Sequence, residues 1–211
     1  MTGGETSEQP GVLPAGTYIL TASIVGVVEK SKIIDGSKIV KGDVVLAVAS
    51  NGLHTNGYSL VRSLIAQKPE IMDMKVGDDS FLDAILRPHK CYYRSLRSLF
   101  DWPELHGMAH ITGGGIAGNL KRILPKGLSA QVDLSRIRVL PVFKMIRDMG
   151  GVPDADMLRT FNMGVGMTVV AGEKAVARIR RHLSETGCES YAIAEVVKGG
   201  KKVVYRGKLR W

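Results

Sequence analysis

Six consecutive apolar residues, Val44 to Ala49, sit inside the run Asp43–Ser50 (DVVLAVAS) with no polar interruption. A strand with one wet face alternates apolar and polar side chains, whereas a continuous run of strand length marks a strand covered on both faces. Whatever fold the chain adopts must therefore bury both sides of this segment. Asn51–Gly57 breaks the run, and Leu60, Val61, Leu64 and Ile65 then recur at the spacing of an amphipathic helix.

The remaining pattern mixes strands and helices throughout. Thr17–Glu29 (TYILTASIVGVVE) is β-branched and apolar, which predicts one or two strands. Lys32–Lys41 reads as a polar connection turning at Asp35-Gly36, and residues 68–79 as a polar stretch. Helical patterns run from Phe81 to Phe100 with an interruption at Pro88. Met108–Ile111 is a short strand candidate, followed by a glycine run and a helix to about Leu124; Gln131–Asp133 lies in another short strand. After Pro141, the stripe Val142, Met145, Ile146, Met149 predicts a helix, with proline at its first position and Gly150-Gly151 closing it. Val165–Val170 reads as a strand, Glu173–Ser184 as a helix and Tyr191–Val197 as a strand. Gly199-Gly200 then turns the chain into Lys202–Arg206 as a hairpin. There is no internal repeat and no low-complexity linker. The expected architecture is α/β (α+β), a mixed β-sheet with helices packed on it, in one domain over 17–211 behind a joining loop at 1–16.

Composition excludes several classes. Of 211 residues, 45% are hydrophobic and 23% charged, enough to build a core and too apolar for wholesale disorder. No stretch approaches the roughly 20 apolar residues of a membrane helix. The N-terminus has neither the basic region nor the apolar core of a secretory signal. Cys91 and Cys188 form neither a disulfide framework nor a metal-spaced pair, so the expected compartment is the cytoplasm. The net charge of +9 raises the question of nucleic acid. However, residues 173–211 hold ten Lys/Arg against four Glu, on a predicted helix and hairpin with few aromatics for base stacking. That pattern is a solvated basic face; it is compatible with small phosphorylated ligands bound elsewhere.

Two strand–glycine–helix junctions offer chemistry. In Ser50–Gly57 (SNGLHTNG), a helix N-terminus would present unpaired N–H groups to an anion, Gly52 and Gly57 would permit close approach, and His54, Thr55 and Asn56 would aim donors into the same space. Spacing alone favours the plainer alternative, a helix start capped by Thr55 or Asn56 with His54 a bystander. The second junction, His110–Gly115 (HITGGG), contains a G-x-G-x-x-G in Gly113, Gly115 and Gly118, with Asp133 twenty residues past Gly113. That is the arithmetic of a dinucleotide fingerprint. His110 lies inside the preceding short strand and His106 just before it, which argues for a general phosphate cradle instead. No P-loop, HExxH, G-x-S-x-G or EF-hand spacing occurs. His89 and Cys91 flank Lys90 in a stretch read as helical, with a packed or surface role.

Several of these motifs together resemble one family. Gly3-Gly4-Glu5-Thr6, Gly26–Lys30 (GVVEK), Asp35-Gly36, Gly42-Asp43, Ser50–Arg62 (SNGLHTNGYSLVR), His110–Gly115 and Arg159–Met167 (RTFNMGVGM) are similar, in order, to aminoimidazole ribonucleotide synthetases, the phosphoribosylformylglycinamidine cyclo-ligases of purine biosynthesis. The resemblance spans nearly the whole chain. It also implies an N-terminal domain ahead of the GGET motif, with a glycine-rich segment, metal-binding aspartates and much of a homodimer interface. The chain opens at GGET, so the resemblance is to the C-terminal domain plus the joining loop. After Thr6 the family usually reads Ala-Glu-Met-Pro-Gly; here it is Ser7-Glu8-Gln9-Pro10-Gly11.

What the resemblance implies is an ATP- and Mg²⁺-dependent reaction. ATP phosphorylates the formyl amide oxygen of formylglycinamidine ribonucleotide; phosphate then leaves as the amidine nitrogen closes the ring. Gly3, Gly4, Glu5 and Thr6 would lie on the ATP side, with Glu5 helping a metal ion. His54 and Asn56 would be catalytic, His54 in proton transfer or amide polarisation. Thr55, Gly57, Thr112, Gly113, Gly114, Gly115 and Asn162 would bind the phosphorylated substrate, although Asn162 equally suits a satisfied turn residue. The expected partners are that substrate and the missing N-terminal domain, or a chain supplying it. Alternatives are a non-catalytic phosphate- or partner-binding module and another enzyme of the superfamily, such as selenophosphate synthetase. A domain face left uncovered should be apolar and should drive self-association.

Overall fold

The computed structural model describes residues 3–7 and 11–211. Its centre is a six-stranded sheet. The strands are β1 (Val44–Ala49), β4 (Leu105–His110), β5 (Leu128–Asp133), β6 (Val165–Ala171), β7 (Ser190–Lys198) and β8 (Val203–Arg206), while β2 (Lys75–Val76) and β3 (Asp79–Ser80) form a small separate hairpin. The spatial order is β4-β6-β1-β7-β5-β8. Every pair in the large sheet is antiparallel except β5 with β8, so the sheet is mixed as expected.

The continuous apolar run is the reason β1 sits inside the sheet. Leu46 pairs with Val169 on one side and Ala192 on the other. Val45 and Ala47 point into one core with Val61, Leu120, Phe143 and Ile146, and Leu46 and Val48 point into a second with Leu99, Ile179 and Leu183. The first core is roofed by α1 (Tyr58–Gln67), α2 (Phe81–Leu86), α4 (Gly115–Ile123), α5 (Pro141–Gly150) and α6 (Asp154–Thr160); the second by α3 (Tyr93–Leu96) and α7 (Val176–Glu185). Each fully buried Leu, Ile or Phe contributes about 1.5–3 kcal/mol, so the double-sided burial of β1 anchors both layers. Helix α5 begins on Pro141 and ends at Gly151 with φ 58°, which matches its sequence signals.

Three expectations fail, each for a physical reason. Thr17–Glu29 forms no strand: Tyr18 is 94% and Leu20 97% exposed, and the first buried position among the described residues is Gly36. β-propensity shows that a segment suits a sheet, but it does not supply a neighbouring strand to pair with. The expected terminal hairpin is not one, because β5 lies between β7 and β8. Gly199 crosses the start of β5, donating its N–H to Gly127 O, and a Cβ there would collide with the Ser129 hydroxyl. The stretch holding His89 and Cys91 is an irregular connection between α2 and α3, not helix.

Strand directions bring the two glycine junctions together. β1 and β4 both run antiparallel to β6, which lies between them, so their C-terminal ends emerge at the same edge of the sheet, where β6 begins.

Candidate functional site

From that edge β1 leads into loop 50–57 and α1, and β4 leads into Thr112–Gly114 and α4. Neither helix has a side-chain cap. The cap position of α1 is Gly57 (φ 79°) and that of α4 is Gly114 (φ 94°). Thr55 and Asn56 are therefore not caps: Thr55 Oγ1 and Asn56 Nδ2 both donate to His54 O, at 2.6 and 2.8 Å. The α4 start is partly satisfied from within: Tyr205 Oη accepts the Ala117 N–H at 3.1 Å, Thr112 O that of Gly115 and Arg159 O that of Gly114, so only the remaining first-turn N–H groups of the two helices are left to an outside anion.

Asn56 ties the junctions to each other. Its Oδ1 accepts the Gly113 N–H at 3.0 Å, linking residues 57 positions apart. Phe161 holds both helix starts on its other side. A Cβ on Gly57 would strike its ring, and one on Gly115 (φ 62°) would strike the Leu158 carbonyl beside it. Only glycine allows this closeness at positive φ. His54 (φ 53°) and Thr55 (φ 65°) occupy the left-handed region without being glycine, local strain of a kind that gathers at functional loops.

Two asparagines brace the loops from inside. Asn162 is fully buried: Oδ1 accepts from Ser50 Oγ (3.0 Å) and Gly164 N (2.8 Å), and Nδ2 donates to Gly52 O (2.9 Å). All these partners are internal, so Asn162 positions the loop from below. Asn119, which the sequence reading passed over, donates to the carbonyls of Thr112, Gly113 and Gly115 and accepts from Thr112 Oγ1. An amide in the middle of a glycine-led helix was the available signal, since Asn has little reason to sit inside a helix unless its side chain is engaged.

His54 is 2% exposed, and burial lowers its pKa to about 4, with help from nearby His89, His110 and Lys90. It is neutral at pH 7. Asn51 fixes its tautomer. Asn51 Nδ2 donates to Pro88 O at 2.9 Å, so Oδ1 is the atom facing the imidazole; its 2.6 Å contact with Nε2 is far shorter than the 3.5 Å approach of the Asn51 backbone N–H to the same nitrogen, which assigns the proton to Nε2 with Oδ1 as acceptor. Nδ1 then carries a bare lone pair, and it is buried without a partner. His54 can accept a proton or a hydrogen bond but has no spare proton with which to polarise an amide oxygen. Behind it, Tyr92 donates to Ala49 O at 3.0 Å and its ring meets His54 edge-on, a packing possible because residue 166 is glycine. Neither Tyr92 nor His89, stacked on His54 at 4.0 Å, was singled out for this region by the sequence reading.

The other expected residues lie apart. Gly3 to Ser7 are exposed, and nothing lies within 4 Å of where a Cβ would project from Gly3 or Gly4. Glu8, Gln9 and Pro10 lie outside the described residues. The dinucleotide arithmetic fails: β4 is an edge strand with only antiparallel β6 beside it, whereas the fingerprint needs a parallel βαβ unit. Asp133 instead caps the 3₁₀ turn Leu134–Arg136 through Ser135 N and Oγ.

Residues 40–207 match the family described as AIR synthase related protein, C-terminal domain, and the chain belongs to that family. Within it, the chain is similar to curated proteins named phosphoribosylformylglycinamidine cyclo-ligase. It is 45% identical to that of Chromobacterium violaceum, over 93% of this chain and 57% of the relative. It is 40% identical to that of Acetivibrio thermocellus, over 93% of this chain and 58% of the relative. The chain thus spans a little over half the length of these relatives. Among solved structures, the fold resembles the hydrogenase maturation protein HypE of E. coli (TM-score 0.56, 18% identity, 82% of this chain and 48% of that one). It also resembles thiamine-monophosphate kinase from Stenotrophomonas maltophilia (TM-score 0.57, 13% identity, 87% and 56%). At such identity these two likenesses concern the fold alone. No helix among the described residues is long and apolar enough to cross a membrane.

Proposed function

We propose that this chain is the C-terminal part of an ATP-dependent cyclo-ligase that converts formylglycinamidine ribonucleotide to aminoimidazole ribonucleotide, working in the cytoplasm as part of a homodimer. Beyond the family and the names of its relatives, the observation that carries the reading is the Asn56–Gly113 bond, which joins two helix starts without side-chain N-caps at one edge of the sheet. Phosphoryl transfer followed by ring closure gathers several anionic oxygens, and paired helix N-termini offset such charge with no cost in reorganisation. Gly57 and Thr112–Gly115 hold the phosphate groups. Thr55, the exposed member of loop 50–57, faces the ligand. His54, held neutral, serves as proton acceptor when the amidine nitrogen closes the ring.

ATP, when bound, supplies the phosphoryl group that makes the amide oxygen a leaving group, and its phosphates suit the uncapped helix starts. Gly3–Thr6 are assigned to the ATP side. Magnesium is different: it requires oxygen ligands, and the grouping of three ligand-bearing side chains found among the described residues is made of histidines. No metal step is assigned to this chain, Glu5 included. The exposed apolar segment around Tyr18–Val28 is assigned to the part of the relatives that this chain does not span, so the C-terminal domain proper starts after it.

The test is a chimaera in which this chain follows the portion of the Chromobacterium violaceum protein that it does not cover. The expected result is phosphate release that depends on both ATP and formylglycinamidine ribonucleotide. A folded chimaera showing no substrate-dependent release would reject the assignment.

A further inference from the structure

Three histidines from three different segments converge beside loop 50–57: His54 in the loop itself, His89 in the connection between α2 and α3, and His110 at the end of β4. One ring nitrogen from each lies within 4.8 Å of the others. The His54 and His89 rings stack at 4.0 Å, and His89 meets His110 at 5.3 Å. Burial pays for none of this by itself, because His54 Nδ1 is enclosed and makes no hydrogen bond.

We propose that His54, His89 and His110 form a binding site for a divalent transition-metal ion of the Zn²⁺ class, with the buried lone pair of His54 Nδ1 as its fixed ligand.

Three observations support the assignment. First, an enclosed, unpartnered imidazole nitrogen is an unmet cost in the apo chain that a metal would relieve. Second, the other nitrogen of His54 donates to Asn51 Oδ1, itself oriented by Pro88 O. Metal-bound histidines almost always carry such an outer partner, which fixes the tautomer and turns the lone pair to the ion. Third, three imidazole nitrogens without a carboxylate suit Zn²⁺, Ni²⁺ or Cu²⁺ and offer little to Mg²⁺ or Ca²⁺.

Two features set the terms of binding. Lone pairs lie in the plane of the ring, so the stacked His89 must swing its edge toward the ion; it is exposed and sits in an irregular segment, where such rotation is easy. Lys90 is the nearby cation, and its ammonium is tethered to Gly187 O at 3.0 Å. Three protein ligands leave a position for water or for a ligand oxygen. An ion at His54 Nδ1 occupies the lone pair that the proposed ring closure would use, so that step and metal binding exclude each other. The site itself does not depend on that reading.

The experiment uses the untagged chain, stripped with chelator and titrated with Zn²⁺ by calorimetry and with Co²⁺ by visible absorption. The expected result is one saturable Zn²⁺ per chain and Co²⁺ d–d bands of imidazole ligation, with His89→Gln weakening Zn²⁺ about tenfold or more and diminishing the bands. His182→Gln, outside the cluster, should bind as the parent does. Because His89 is exposed, its variant should keep the parent circular dichroism spectrum. Absence of saturable binding, or binding to a folded His89→Gln chain with parent affinity, would overturn the site.

Discussion

Replacing Asn162 by alanine tests whether loop 50–57 is held from below. The side chain is fully buried and makes three hydrogen bonds, to Ser50 Oγ, Gly52 O and Gly164 N. Each is worth about 1 kcal/mol net, and truncation leaves the Gly52 carbonyl and Gly164 N–H enclosed without partners, so the expected loss is about 3 kcal/mol. With a urea m-value of about 2.5 kcal/mol/M for a chain of this size, the unfolding midpoint should fall by about 1 M. Asn162→Asp keeps the two acceptor bonds but sets a carboxylate oxygen against the Gly52 carbonyl, so it should cost at least as much at pH 7. Urea unfolding followed by tryptophan fluorescence and circular dichroism measures both variants. A midpoint shift below about 0.3 M for the alanine variant would mean that these bonds do not hold the loop, and the positioning role would be lost with them.

Three further outcomes follow from the same contacts. Gly115→Ala should destabilise the chain by more than about 2 kcal/mol, because its Cβ collides with the Leu158 carbonyl at φ 62°; Gly118→Ala, with open space around it in the same helix, should gain about 0.5–1 kcal/mol, and thermal unfolding separates the two. The folded chain keeps His54 neutral with a pKa of about 4, whereas unfolded histidine binds a proton near 6.5. Stability should therefore be complete above pH 6.5 and fall as pH drops toward 4, by about 1–2 kcal/mol between pH 7 and 5 after allowance for screening; in chelator, His54→Gln should flatten that slope, and an unchanged slope would refute the assignment. Sedimentation should show self-association that deletion of residues 1–30 reduces without lowering the melting temperature, whereas a clean monomer at high concentration would contradict the role given to the exposed apolar segment.

The parts of this fold legible in the sequence are those set by local pattern. The unbroken run in β1 announced a strand covered on both faces, and Pro141 with Gly151 bounded α5 correctly, because burial and capping act over a few residues. Pairing is not local. Thr17–Glu29 has the composition of a strand but no neighbour, and Gly199-Gly200 marks a turn without saying that β5 will insert between the strands it joins. The same division runs through the site. The glycines of SNGLHTNG and HITGGG pointed to two helix starts, yet a matching G-x-G-x-x-G could not reveal that β4 is an antiparallel edge strand. That Asn56 bridges the two loops, that Asn162 braces the first of them, and that His89 stacks on His54 are tertiary contacts. They join residues up to 110 or so positions apart, where spacing carries no signal.

The most direct measurement is the kcat/KM of the chimaera for formylglycinamidine ribonucleotide, with and without Asn56→Ala. The variant removes the one bond observed between the two glycine junctions while leaving their backbones intact. If the paired helix starts hold the reacting phosphate groups, kcat/KM should fall about 100-fold, the scale of loss from slight misplacement of reacting groups. A folded Asn56→Ala enzyme within twofold of the parent would contradict the paired cradle.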